Sequence, residues 1–132
     1  MPDDIISVGR EQIAVRLTTE ETGGQLLAVD VTMPPGGGPP GLHRHAAAEA
    51  YRVLEGEFTL YLGEQRIPAP AGSVFHVPGG EAHTIRNESE APARGYVTFF
   101  GDAAPMERFM RAAGSAGDVM ALAAEHGIEF VR

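Results

Sequence analysis

The stretch that decides the reading is Leu42-His43-Arg44-His45-Ala46-Ala47-Ala48-Glu49-Ala50-Tyr51-Arg52-Val53. His43 and His45 are two residues apart, so on a strand their side chains share one face. Glu49 keeps that parity. Farther along, Gly80-Glu81-Ala82-His83-Thr84-Ile85-Arg86-Asn87 brings a third histidine on another expected strand. In a closed barrel the inward residues of separate strands converge. Three imidazoles and one carboxylate then make a nitrogen-and-oxygen site for a first-row divalent metal. The same parity turns Ala47, Tyr51 and Val53 inward, and Ile85 with His83. The lining is therefore mostly apolar, with one phenol near the metal.

The flanking sequence reads as short strands broken by turns. Gln12 to Thr18 alternates apolar and polar residues, and Leu26 to Met33 is rich in β-formers. Residues 1–10 read as a loose arm or an edge strand. Ala50 to Leu54 and Phe58 to Leu62 flank Glu55-Gly56-Glu57, the signature of a hairpin. Val74 to Val77, Ala82 to Glu88 and Arg94 to Phe100 are further strands. Between residues 34 and 41 stand four Pro and four Gly, which excludes helix and central strand. No Lys follows that run, so it is a mobile access loop and not a phosphate loop. This spacing of strands argues for an all-β sandwich or closed barrel. After residue 104 the pattern turns helical. One short helix spans Pro105 to Ala113, with Met106, Phe109 and Met110 buried. A second, capped by Ser115, spans Gly117 to His126, and Ile128 to Val131 returns as a strand.

Composition narrows the chemistry. The 132 residues fit one domain, and 43% hydrophobic with 21% charged residues is a globular balance. There is no cysteine, which excludes disulfides, thiolate nucleophiles and Cys-bound zinc. There is no lysine, so Schiff-base catalysis is excluded and all ten basic residues are Arg. A net charge of −8 opposes nucleic-acid binding. No apolar run approaches the ~20 residues of a membrane span. The N-terminus lacks the pattern of a signal peptide, and the expected compartment is the cytoplasm.

The two histidine stretches resemble the motifs of the cupin superfamily. The first motif corresponds to Gly37, His43, His45, Glu49 and Gly56, and the second to Gly72, Pro78, Gly80, His83 and Asn87. The resemblance implies a jelly-roll β-barrel, here with a short C-terminal helical appendage. It also implies one divalent metal ion per chain on His43, His45, Glu49 and His83, with iron first and manganese, nickel, copper or zinc as alternatives. It does not imply one reaction, because the superfamily hosts many. Its small members similar to flavonol (quercetin) dioxygenases place oxygenation of a small organic ligand first. Non-redox isomerase or lyase chemistry is the alternative, and a metal-loaded module that binds a small molecule without turnover is the other class.

Glu49 and Tyr51 are the candidate catalytic groups. Tyr51 donates to a bound ligand or packs in the core with its hydroxyl satisfied elsewhere; the sequence leaves both open. His76 takes a structural or solvent role and His126 a surface one. Asn87 bonds backbone at a strand end. Arg44 and Arg52 have the parity to face out. A barrel of this size leaves sheet edges exposed, so a symmetric homodimer with residues 1–18 in its interface is expected.

Overall fold

The computed structural model describes residues 4–113 and 119–131. Ten strands precede the helices: β1 (Ile5–Val8), β2 (Glu11–Leu17), β3 (Leu26–Met33), β4 (His43–Arg44), β5 (Ala48–Glu55), β6 (Glu57–Leu62), β7 (Gln65–Pro70), β8 (Val74–Val77), β9 (His83–Arg86) and β10 (Ala93–Phe100). Helices α1 (Ala104–Ala113) and α2 (Val119–Glu125) follow, then β11 (Glu129–Phe130). One sheet has the order β1-β2-β3-β10-β5-β8 and the other β11-β4-β9-β6-β7. The strand pairings among the described residues are antiparallel. The result is a cupin β-barrel with a C-terminal helical appendage.

Alternation sets the core. Leu27 and Val29 on β3, Tyr51 and Val53 on β5, and Val97 and Phe99 on β10 are buried from the first sheet. Phe58 and Leu60 on β6 and Ile85 on β9 answer from the second. Burying such side chains contributes roughly 1.5–3 kcal/mol each before entropy is counted. Met106, Met110 and Ala113 form the buried face of α1, which packs against β1 and β3, with Phe109 half-buried. The expected second helix is present from Val119; its Ser115 cap and Gly117 start lie outside the described residues.

Two expectations are corrected, and one strand was not among those expected. The Glu55-Gly56-Glu57 turn makes no hairpin, because β5 and β6 belong to different sheets. Gly56 (φ 71°) carries the chain across, and a Cβ there would stand 2.5 Å from the Pro92 carbonyl oxygen. The added strand, β7, contains Pro68 and Pro70, residues that argue against a central strand. It lies at the sheet edge, so a missing N–H there costs no ladder bond to a further strand. The second correction is that the Pro/Gly run is fastened. Gly36 N donates to Asn87 O at 2.8 Å and Asn87 N to Gly37 O at 3.1 Å, while Arg86 donates to Pro39 O and Gly36 O. Those bonds also end β9 at Arg86, short of the expected Glu88.

Candidate metal centre

The two sheets meet at the histidines. His43 on β4 stands directly opposite His83 on β9, so both side chains leave the second sheet on its inner face. Glu49 projects from β5 in the first sheet, flanked by Val77 and Phe99. His45 lies in the segment that carries the chain from one sheet to the other. The parity argument survives this crossing: residues 43, 45, 47, 49, 51 and 53 are all buried, and Arg44 and Arg52 are exposed. The ring nitrogens of His43, His45 and His83 lie within 4.8 Å of one another. Glu49 Oε2 is 2.6 Å from His83 Nε2 and 3.7 Å from His45 Nε2.

Backbone carbonyls fix the tautomers. The Nδ1 atoms of His43, His45 and His83 face the carbonyl oxygens of Gly41 (3.2 Å), Ala47 (2.9 Å) and Glu81 (2.8 Å). A carbonyl only accepts, so each Nδ1 carries the hydrogen and each neutral ring presents a bare Nε2. His45 Nε2, His83 Nε2 and Glu49 Oε2 are buried without a hydrogen-bond donor or acceptor of proper geometry. Lone pairs gathered in this way demand a cation. Three nitrogen donors and a carboxylate suit a divalent metal, and Nδ1–H···O=C support is what orients metal-binding histidines. The residues therefore fit the ion that the sequence implies.

Electrostatics agree. Burial, then the charge of His83, pushes the His43 pKa down to about 4. Burial also lowers His45. Burial opposes ionisation of Glu49, but His83 at 2.6 Å and the other two imidazoles hold its pKa below the usual value. Burial opposes the charge on His83, but the Glu49 carboxylate beside it outweighs this and raises its pKa. Tyr51 is raised well above 10 by burial and by Glu49, so its phenol keeps its proton. Its hydroxyl is 3.4 Å from Glu49 Oε1 and its ring stacks on Phe75 at 4.7 Å.

Comparison with known proteins places this barrel. Residues 29–99, more than half of the chain, match the family described as Cupin domain. The chain belongs to the cupin family. Auxin-binding protein 1 of Arabidopsis thaliana is 37% identical to this cupin over 65 residues, 42% of this chain. The match spans only 32% of that relative's length. A predicted oxalate decarboxylase from Thermotoga maritima is 27% identical, with a TM-score of 0.63 over 68% of this chain and 79% of its own. The DMSP lyase DddQ from Ruegeria pomeroyi is 30% identical, with a TM-score of 0.54 over 60% of this chain and 40% of its own.

The other singled-out residues take these places. His76 is exposed and stacks on Phe100 at 5.9 Å, away from the centre. Fully buried Asn87 donates Nδ2 to Met33 O and Ala91 O and accepts from Ser89 N and Oγ. Ala47, Val53 and Ile85 are core. His126 is half-buried, contrary to the surface reading, because its Nδ1 is drawn to Leu122 O at 2.9 Å and its ring to Phe109. Helical spacing of Leu122 and His126 carried that signal.

Sequence reading passed over Gly79. A Cβ there would stand 2.2 Å from the Ala46 carbonyl oxygen, and next to it Gly80 N donates to His45 O at 2.8 Å. The Pro78–Gly80 turn therefore holds the His45 segment. Gly79→Ala is expected to displace His45 and weaken metal binding by about tenfold or more, the range for lost support of a ligand. Chelator competition with Zn(II) measures this, and unchanged affinity would show that the turn does not position His45.

Membrane spanning by helix has no candidate: among the described residues no helix is long and apolar enough.

Proposed function

We propose that this cupin is a mononuclear metal enzyme for a small organic substrate, with His43, His45, His83 and Glu49 as ligands. The gathering of three buried imidazoles, two of them with Nε2 beside the buried Glu49 carboxylate, carries the reading. A bound ion would supply Lewis acidity and, for iron, manganese, nickel or copper, redox chemistry at its remaining coordination positions. The protein's part is orientation and exclusion. The carbonyls of Gly41, Ala47 and Glu81 lock the imidazoles, and Val77 and Phe99 screen Glu49 from water. Tyr51, protonated and beside Glu49, is placed to donate a hydrogen bond to a ligand oxygen or to the carboxylate.

Oxygenation is the first reaction to test. Protein loaded with Fe(II), Mn(II), Ni(II) or Cu(II) should consume oxygen with one member of a panel of flavonols, catechols and β-diketones, and His83→Ala should abolish the uptake. No substrate-dependent uptake with any of the four metals would leave the non-redox reading. That second reading is favoured by the resemblance to a predicted oxalate decarboxylase and a DMSP lyase, and a binding module by the resemblance to an auxin-binding protein.

The chain is further proposed to form a homodimer through residues 1–18. In support, β1 is the edge of its sheet and Ile5 on it is 55% exposed. Light scattering at micromolar concentration should give twice the chain mass; a monomer removes the proposal.

A further inference from the structure

The family match ends at residue 99, and the chain then adds two helices and one more strand. That strand, β11, lies beside a candidate metal ligand. β4 is two residues long and meets β9 at a single pair, His43 opposite His83. On its other side β4 pairs with β11, Arg44 opposite Glu129 and His43 opposite Phe130, and Val131 N donates to Leu42 O at 2.8 Å. Without β11, the strand that carries His43 would be a two-residue sheet edge, and short unpaired edges fray first. With it, β4 is an interior strand.

Local structure aims β11 at this place. Helix α2 ends in a Schellman turn: Gly127 (φ 76°) donates its N–H to Ala124 O at 3.3 Å, and Ile128 N donates to Ala123 O at 2.9 Å. Ile128 is then buried in the core, and the next two residues run along β4. Directly opposite residues of an antiparallel pair share a face of the sheet. Phe130 therefore leaves the sheet on the same side as His43, with the two rings 5.5 Å apart and tilted by 50°.

His43 is the ligand that most needs such a neighbour. Its Nδ1 contact to Gly41 O is 3.2 Å, against 2.9 Å for His45 and 2.8 Å for His83. It is also the most exposed of the four, at 9% against 6% for His45, 3% for Glu49 and 2% for His83. A long orienting bond leaves the imidazole freer to turn, and a ring packed beside it removes that freedom. We propose that Phe130 is a positioning residue for the metal centre: β11 keeps β4 in the sheet, and the Phe130 ring holds the His43 imidazole with Nε2 toward the other ligands. The C-terminal appendage thus completes a site whose ligands all come from the barrel. This rests on the metal-centre reading above.

The test measures Zn(II) affinity of the full chain by chelator competition. Phe130→Ala should weaken it about tenfold, the range for lost support of a ligand. Phe130→Leu, which keeps apolar bulk against His43, should recover most of the loss. Val131→Pro, which removes the N–H bonded to Leu42 O, should weaken binding to a similar degree. In a His43→Ala background, Phe130→Ala should cost nothing further, because the ring it holds is gone. Wild-type affinity in Phe130→Ala would overturn the proposal. So would a tenfold loss that persists in the His43→Ala background, since Phe130 would then act on the fold at large. A second readout needs no metal. At pH 8, side-chain 15N NMR of metal-free protein should show His43 as a single Nδ1–H tautomer in wild type and as a mixture in Phe130→Ala. If wild-type protein takes up no zinc, the metal-centre reading fails and the tautomers decide Phe130 separately. A mixture in the variant retains its positioning of His43, and an unchanged tautomer removes it.

Discussion

Metal-loaded protein should melt about 10 °C or more above the same protein after chelation, and His83→Ala should erase that difference. The ligands converge only in the folded barrel, so an ion binds the native state and not the unfolded chain. At free metal about a thousandfold above the dissociation constant this linkage contributes roughly 4 kcal/mol. For a domain of this size each kcal/mol moves the midpoint by about 2–4 °C or more. Removing His83 takes away a ligand nitrogen and the partner of Glu49, 2.6 Å distant. Calorimetry with and without chelator measures the shift; an unchanged midpoint in wild type would place the ion elsewhere. The effect should also fade with acid, because imidazole must be neutral to bind metal. In the metal-free protein His43 has the same sign. Its folded pKa, about 4, lies below the ordinary 6.5, so the unfolded chain binds more protons between those values. Stability on its account is therefore lost as pH falls through that window.

Asn87→Leu should cost about 4 kcal/mol without touching a metal ligand. Asn87 is fully buried and its side chain makes four hydrogen bonds: two donated, to Met33 O and Ala91 O, and two accepted, from Ser89 N and Oγ. Leu matches its bulk but leaves those groups unpaired, at about 1–3 kcal/mol for each that stays buried. Its backbone N and O also pair with Gly37 and Gly36, so the same change loosens the Pro/Gly segment. Urea unfolding gives the difference. A loss below about 1 kcal/mol would mean that water replaces these bonds.

Most of the barrel and the site was legible because period-two alternation survives the change of sheet. His43 and Glu49 lie in opposite sheets, yet their shared parity still turns both inward. What was not legible needed tertiary contact. The Gly56 crossing resembles a hairpin turn until Pro92 is placed against it. Likewise β7 is tolerable with two prolines only as an edge, and an edge is defined by strand order. Nor does anything in the motif spacing mark Gly79, whose constraint is the distant Ala46 carbonyl. The helical character of the appendage was legible, but the pairing of β11 with β4 depends on where the chain folds back.

The split origin of the ligands has a mechanical meaning. His43 and His83 belong to one sheet and Glu49 to the other, in a chain without a single cysteine. An ion held by all of them would act as a rivet through the seam of the sandwich. The two layers could then not breathe apart at β4, β5 and β9 without first releasing it, while β1 and β7, each at an outer edge, would stay free to fray.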